Sequence, residues 1–330
     1  MLEGFVVKIT QAEERLRAYA ELNAMRIDAS QIDAYMTEDK GPDYFTDLGS
    51  LYEELVDAFD RKKRNAAPRL PYSHTFADFQ LRPNELTVWF GIDGHGKSMM
   101  ASHVMLDLMA QGERCAMASL EMPLPKTAKR LAQQAIGNPD PTLDALRQFC
   151  RWGHGRLWFY REPGMLRIER MYAAIRYAVK VLKVRHFFLD NLTNMLRDDD
   201  DNSEQKHIIQ RLAVMARDLG AHIHLIAHAK KLEDETRVPS RSSLKGSGSL
   251  LAESDNVLIV WKNTKPSEQR DPNFACDAVL VVAKQRHHDG EGKDTFSTGL
   301  WFDQRSYQFK DFEAQSARKY VTVQREAGED

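Results

Sequence analysis

Two glycines, a lysine and a serine occur at a characteristic spacing in the stretch from residue 91 to residue 98. Gly91, Gly96, Lys97 and Ser98 fit the pattern G-x-x-x-x-G-K-[ST]. Glycines in such a loop let backbone N–H groups turn toward phosphate oxygens, where a Cβ atom would clash. The lysine ammonium would reach the β- and γ-phosphates, and the serine hydroxyl would ligate Mg²⁺. The stretch therefore predicts a site for a nucleoside triphosphate and Mg²⁺.

The elements that flank this loop suit the same chemistry. Residues 85–90 are mostly apolar and predict a buried strand, and residues 98–109 predict a helix whose N-terminus faces the phosphates. The alternative is a glycine-rich turn between a strand and a helix that binds nothing. The residues that we expect to contact nucleotide are Gly91, Asp93, Gly94, His95, Gly96, Lys97, Ser98 and Met99.

Polar side chains follow three further predicted strands, at the edge where ligands bind in open α/β sheets. Asp190 follows an apolar strand and would hold Mg²⁺ through water, or else only cap a helix. Glu121 is placed to act as general base on the attacking water, or else is a surface carboxylate in a turn. His228 could contact the γ-phosphate, although a histidine at a strand end is often only a polar group with a local partner.

Strands and helices alternate from residue 85 onward, which predicts an α/β fold with a mostly parallel sheet. The predicted helices cover residues 125–136, 142–149, 167–182 and 203–219. The predicted strands before residue 230 cover residues 85–90, 115–120, 157–160, 184–189 and 221–227. Strands alone follow, over residues 256–261, 277–283 and 295–302, so C-terminal β-hairpins extend the sheet.

The N-terminal region differs from this core. We assign residues 1–45 to a small helical region, 46–75 to a linker helix and linker, 76–312 to the ATPase domain and 313–330 to a polar tail. Residues 48–59 carry apolar side chains at helical spacing. This helix either packs on its own core or docks on a neighbouring subunit, and the sequence leaves both open.

Composition narrows the class of protein. Of the 330 residues, 42% are hydrophobic and 28% charged, and the net charge of −2 gives no general basic field for nucleic acid. Cys115, Cys150 and Cys276 lack metal-binding spacing and indicate free thiols in a reducing compartment. No apolar run reaches about 18 residues and no signal peptide is evident, so we expect a soluble, non-secreted protein without a membrane partner.

Several short motifs follow one another in a fixed order between residues 75 and 310. They are SLEMP at 119–123, LDN at 189–191, QRLAVMARDLG at 210–220, LIAHAK at 225–230, LKGSGS at 244–249 and AKQR at 283–286. Together they resemble the DnaB-like replicative helicases. The histidine at residue 228 is similar to the phage primase-helicase and Twinkle branch, because the bacterial branch has glutamine there.

The resemblance implies a RecA-like core that assembles as a ring, usually a hexamer, around single-stranded DNA. Such a ring hydrolyses ATP or another nucleoside triphosphate with Mg²⁺, translocates 5′ to 3′ and opens a forked duplex. The resemblance implies that Lys97, Ser98, Glu121, Asp190 and His228 act within one subunit. It also implies that Arg286 and Lys284 reach the neighbour's γ-phosphate, and that Lys262 and Phe302 sandwich the base. A surface arginine is the alternative for Arg286.

DNA contacts are implied for one basic, glycine-bearing stretch. Its expected contact residues are Lys230, Arg241, Lys245, Gly246, Ser247 and Gly248. Small residues and cations suit a loop that follows a phosphate backbone, although a solvated loop is the alternative. We expect a primase or a loader as a further partner, and the cytoplasm of a bacterial or phage-infected cell as the location.

The sequence also departs from the family's pattern. No zinc ribbon or primase domain precedes the core, so priming activity is not expected. A RecA- or KaiC-like ATPase that binds DNA without unwinding it is the alternative function.

Overall fold

A computed structural model gives the structure for most of the chain after residue 66. The described residues are 32–33, 36, 52, 56, 67–75, 79–161, 166–196, 202–228, 238, 248–270, 275–287 and 295–321. Most of the predicted N-terminal region and most of the loop between residues 229 and 248 therefore lie outside the described residues.

One sheet dominates the described part of the chain. Its strands are β1 (Leu86–Gly91), β2 (Cys115–Ser119), β3 (Leu157–Phe159), β4 (His186–Asp190), β5 (His222–His228), β6 (Asn256–Lys262), β7 (Ala278–Gln285), β8 (Phe296–Asp303) and β9 (Gln308–Lys310). Their order across the sheet is β3-β2-β4-β5-β1-β6-β7-β8-β9. The strands from β3 to β6 are parallel, and β7, β8 and β9 continue the sheet antiparallel. The predicted parallel sheet with C-terminal hairpins is confirmed.

Helices connect the parallel strands. They are α1 (Lys97–Ala110), α2 (Leu124–Ile136), α3 (Leu143–Gly153), α4 (Ile168–Lys180), α5 (Asn202–Leu219) and α6 (Gly248–Glu253). The side chain of Thr142 caps α3 by accepting a hydrogen bond from the backbone N–H of Ala145. Neither α6 nor β9 was predicted, because elements of six and three residues are too short to show a hydrophobic period.

Both faces of the sheet are buried, as expected for parallel strands covered by crossover helices. On β1, Val88 and Phe90 belong to the core beneath α4 and α5, whereas Trp89 between them belongs to the core beneath α1 and α2. This alternation follows from the two-residue period of a strand. Packing on both faces thus fixes the sheet, and the sheet in turn fixes the relative positions of the loops at the carboxyl ends of its strands.

Residues on both sides of the predicted ATPase domain pack against its core. Leu70, Tyr72 and Val321 are buried in the core beneath α1 and α2. Arg318 also forms an ion pair with Asp107 of α1, with 2.7 Å between Nη1 and Oδ1. Isolated apolar residues in polar stretches show no periodicity, so the sequence did not indicate this packing. The predicted domain boundaries stay predictions.

The three cysteines differ in exposure. Cys115 and Cys276 are buried free thiols, whereas Cys150 is an exposed free thiol. None of the helices in the described part of the chain combines the length and the apolar character needed to cross a membrane.

Candidate nucleotide-binding and hydrolysis site

The phosphate-binding loop joins the end of β1 to the start of α1, as predicted. A Cβ atom on Gly91 would stand 2.4 Å from the carbonyl oxygen of Val260 on β6, so only glycine lets these strands approach here. Gly96 has φ +88°, a left-handed conformation that favours glycine, and α1 begins at the next residue. The loop backbone therefore curls at the N-terminus of a helix, which is the arrangement that binds phosphate.

Lys97 lies inside the curl of this loop. Its side chain is 4% exposed, and Nζ donates hydrogen bonds of 2.8 Å to the carbonyl oxygens of Gly91 and Ile92. Nζ also lies 3.4 Å from Oδ1 of Asp93. Burial lowers the pKa of Lys97, and the charge of Asp93 opposes that shift. The ammonium is thus held at the centre of the loop, where phosphate oxygens could replace the backbone carbonyls.

Ser98 and Asp190 form an oxygen pair beside this lysine. Ser98 Oγ donates a 2.9 Å hydrogen bond to Asp190 Oδ1, and Asp190 is 2% exposed. Burial raises the pKa of Asp190, and the hydrogen bond from Ser98 opposes that shift. A buried carboxylate next to a hydroxyl suits Mg²⁺, which uses few protein ligands when phosphate oxygens and water complete its shell. The described residues hold no cluster of three or more His, Cys, Asp or Glu side chains that could bind a metal alone.

Glu121 stands next to this pair because β2 and β4 are neighbours. Ser119 is paired with Asp190, and the N–H of Leu120 donates a 2.6 Å hydrogen bond to the carbonyl oxygen of Asp190. The Glu121 side chain is 52% exposed, and its Oε2 accepts a 2.8 Å hydrogen bond from Asn191 Nδ2. It borders a 650 Å³ cavity at the sheet edge. A carboxylate that is both anchored and open to water fits the predicted role of general base.

His228 completes the set at the end of β5. β5 is the neighbour of β1, and His228 pairs directly with Gly91. Its Nδ1 contacts the carboxylate of Asp93, while its Nε2 contacts Asn191 and lies 3.8 Å from Glu121 Oε2. The structure thus brings all five residues predicted to act within one subunit to one edge of the sheet. Their individual roles stay predictions.

A second cavity, of 480 Å³, adjoins the same loop. His95, Gly96 and Met99 form one side of it, and the predicted base-binding residues Lys262 and Phe302 line it as well. Tyr307 and Phe309 also line it, and their rings together with Phe302 supply apolar surface for a base. The cavity is therefore in the right place for the base and ribose of a nucleotide whose phosphates occupy the loop.

Arg286 and Lys284 lie at the opposite edge of the sheet. β7 runs antiparallel to β6, so Gln285 pairs with Asn256 at the start of β6. Arg286 donates hydrogen bonds of 3.0 Å to Asp255 Oδ1 and 2.8 Å to the carbonyl oxygen of Ala252. The six residues of β1 separate this edge from the phosphate-binding loop by about 17 Å. Neither cation contributes to the site of its own subunit.

The predicted DNA-binding stretch is largely undescribed. Lys230, Arg241, Lys245, Gly246 and Ser247 lie outside the described residues. Gly248 is described, and it is the first residue of α6. Arg286 and Lys284 both donate to backbone carbonyls at the end of this helix or just after it. The cations predicted to serve a neighbouring site therefore touch the element that follows the predicted DNA loop.

Two residues near the site were not predicted from the sequence. Asn191 directly follows Asp190 and contacts both Glu121 and His228. Arg130 of α2 lies beneath the Glu121 loop, with Nη1 3.6 Å from Met122 Sδ. The sequence contains a signal for Asn191, because this residue directly follows the aspartate at the end of a predicted strand. Arg130 had none, because one arginine in a polar helix is ordinary.

Arg130 is a positively charged side chain that is half-buried beside the site. Its Nη2 donates a 3.3 Å hydrogen bond to Ser102 Oγ, and Ser102 Oγ in turn donates to the carbonyl oxygen of Ser98. Its Nε is enclosed and has no hydrogen-bond partner in the described part of the chain. Burial lowers the pKa of Arg130, and the charges of Asp190 and Glu121 oppose that shift. Arg130 thus joins the helix that carries Ser98 to the loop that carries Glu121.

A family model described as an AAA domain matches residues 63–234, slightly more than half of the chain. The chain belongs to this AAA domain family. The matched segment contains the phosphate-binding loop, Glu121, Asp190 and His228.

Two solved structures show the same fold. The first is the structure of an ATPase domain, with a TM-score of 0.64 at 17% identity, and it covers 81% of this chain and 100% of its own. The second is a DnaB-like replicative helicase described with its interactions with primase, and it has a TM-score of 0.62 at 15% identity. It covers 93% of this chain and 77% of its own. The RecA-like fold and the resemblance in fold to DnaB-like helicases are confirmed.

Proposed function

We propose that this protein is an ATP-dependent DNA helicase that forms a ring, translocates 5′ to 3′ on single-stranded DNA and unwinds duplex DNA during replication. One observation carries the proposal. The groups suited to bind and activate nucleotide meet at one edge of the sheet, whereas Arg286 lies at the opposite edge, about 17 Å away. A second copy of the chain must therefore supply Arg286 if it is to act on nucleotide. Such a division of one site between two copies requires a head-to-tail contact, and head-to-tail contacts that close form a ring.

Each group at the first edge has a chemical task in this proposal. Lys97 exchanges its bonds to Gly91 and Ile92 for bonds to phosphate oxygens. Ser98 and Asp190 hold Mg²⁺, which neutralises charge on the β- and γ-phosphate oxygens when bound. The Glu121 carboxylate takes a proton from the attacking water. His228 lies beside Asp93 of the loop and is placed to respond to the γ-phosphate.

The neighbouring subunit contributes two further positive charges to the site, from Arg286 and Lys284. Arg286 is 38% exposed, and its present partners are Asp255 and the carbonyl oxygen of Ala252. In the ring, Arg286 leaves these partners. Arg286 and Lys284 of one subunit then stabilise the charge of the transition state in the site of the neighbouring subunit. Hydrolysis then depends on contact between subunits, which couples it to ring assembly. We propose a homo-hexamer.

DNA is the proposed partner at the centre of the ring. The basic stretch that ends at Gly248 would follow phosphate groups without reading bases. One of the two similar structures is described with its interactions with primase. We therefore propose a primase or a loader as a further partner of this chain, in the cytoplasm of a bacterial or phage-infected cell.

A fork-unwinding assay tests the function. The substrate is a labelled duplex with a 5′ single-stranded tail, and the same duplex with only a 3′ tail is the control for polarity. We expect ATP- and Mg²⁺-dependent strand displacement from the 5′-tailed substrate and none with Glu121→Gln. DNA-stimulated hydrolysis without displacement would contradict the helicase and favour the RecA- or KaiC-like alternative.

A further inference from the structure

Asn191 lies between Glu121 and His228 at the candidate site. It follows Asp190 at the end of β4 and is 2% exposed. Its Oδ1 accepts a 3.2 Å hydrogen bond from the backbone N–H of Asn194. Because a backbone N–H can only donate, this contact fixes which end of the amide is oxygen. The Nδ2 group therefore points the other way, toward Glu121 and His228.

The amide nitrogen has two hydrogens and two acceptors for them. One hydrogen is donated to Glu121 Oε2 over 2.8 Å, and the other faces His228 Nε2. Because an amide N–H group can only donate, His228 Nε2 is the acceptor of this second contact. Nδ1 lies against the carboxylate of Asp93, which is also 3.4 Å from Lys97 Nζ.

These contacts form one continuous chain of polar side chains. It starts at Lys97 and Asp93 in the phosphate-binding loop, passes through His228 and Asn191, and ends at the Glu121 carboxylate. A nucleotide that draws Lys97 away from Asp93 changes the first link. Because the Asn191 amide contacts both His228 and Glu121, a change at His228 alters the hydrogen bonding of the group that contacts Glu121.

We propose that Asn191 is a positioning residue that fixes the Glu121 carboxylate and makes its placement depend on His228. The occupancy of the phosphate-binding loop thereby affects the position of the Glu121 carboxylate. This inference rests on the proposed role of Glu121 as general base. In this proposal Asn191 acts only through the carboxylate of Glu121.

Steady-state hydrolysis by the assembled protein on single-stranded DNA tests the proposal. Asn191→Ala should lower kcat by about 10- to 10²-fold, since a misplaced catalytic group costs rates of this order. KM for ATP and the Kd of a fluorescent ATP analogue should stay within about twofold, because binding energy to the phosphates is untouched. Asn191→Asp keeps the size of the side chain but loses the donor, and it should lose at least as much kcat. Asn138→Ala, at an exposed asparagine away from the site, is the matched control.

A double-mutant cycle separates positioning from a structural role. In a Glu121→Gln background, Asn191→Ala should change the residual kcat by less than about twofold, because the group it positions is gone. Equal factors in the wild-type and Glu121→Gln backgrounds, or a raised KM with unchanged kcat, would overturn the inference. So would near-normal kcat in Asn191→Asp.

The same cycle tells this inference apart from the proposed function. Wild-type kcat in Glu121→Gln would show that the base lies elsewhere and would remove the proposed chemistry. A large loss in Glu121→Gln together with normal kcat in Asn191→Ala would refute only the role of Asn191.

Discussion

Lowering the pH should destabilise this protein through His103, and the size of the effect follows from its burial. His103 lies on α1 and is 1% exposed, with Nδ1 3.4 Å from the hydroxyl of Tyr72. Burial, and then the nearby charge of Arg318, lower its pKa to about 3 from an ordinary value of 6.5. The unfolded chain therefore binds a proton below pH 6.5 that the folded protein refuses until about pH 3. Stability is unaffected above pH 6.5 and falls between those two values.

The magnitude at pH 5 comes from that difference. The unfolded state gains about 1.4 kcal/mol for each pH unit below 6.5, so this one histidine costs about 2 kcal/mol at pH 5. Glu85 acts in the opposite sense, because burial raises its pKa to about 7 from 4.5. It keeps its proton when folded and so favours the folded state as the pH falls from 7 to 4.5. The whole-protein curve mixes these effects, and a variant is needed to isolate His103.

Urea unfolding at pH 8 and pH 5, followed by tryptophan fluorescence, isolates the effect. His103→Gln removes the titrating group and keeps a polar side chain, so between these pH values it should lose about 2 kcal/mol less stability than the wild type. His74→Gln, at an exposed position, is the matched control and should follow the wild type. Equal losses in His103→Gln and the wild type would refute the reasoning from burial.

Three further predictions concern the loop, the DNA path and the cation beneath the site. Gly91→Ala should lower the free energy of unfolding by about 1–3 kcal/mol, because its Cβ would meet the Val260 carbonyl oxygen at 2.4 Å; an unchanged unfolding midpoint would contradict this packing. Lys245→Ala should weaken single-strand binding for all sequences and flatten its salt dependence, and a sequence-selective loss in a filter-binding titration would remove it from the DNA path. Arg130→Ala should lower kcat about 10-fold with little change in KM, whereas Arg130→Lys should recover part of it; equal kcat in Arg130→Ala and wild type would show that the Glu121 loop needs no support.

Much of the site could be predicted from the sequence for a physical reason. Parallel strands place their carboxyl ends at one edge, so polar residues that end apolar runs must meet there. Glu121, Asp190 and His228 each end such a run, and all three lie at that edge. The phosphate-binding loop could be predicted from its glycine spacing and from the strand and helix that flank it.

The contacts between those residues could not be predicted, because they depend on the order of the strands. Asn191 reaches both Glu121 and His228 because β4 lies between β2 and β5, an order that no local pattern encodes. The position of Arg286 at the far edge likewise required the antiparallel pairing of β7 with β6. Leu70 and Val321 join the core from polar stretches through long-range packing, which periodicity does not show.

Mixing two inactive variants tests most directly the central claim, that Arg286 completes the site of a neighbouring subunit. Arg286→Ala subunits keep an intact nucleotide pocket, whereas Lys97→Ala subunits keep a usable Arg286. Loss of such an arginine costs on the order of 10³-fold in rate, and Lys97→Ala loses the cation that contacts the phosphates, so each variant alone should be nearly inactive. In rings assembled from an equal mixture, about a quarter of the interfaces pair an intact pocket with an intact Arg286. We predict that ATPase activity returns on mixing, to a level set by those interfaces. No recovery on mixing, or full activity of Arg286→Ala alone, would contradict the claim.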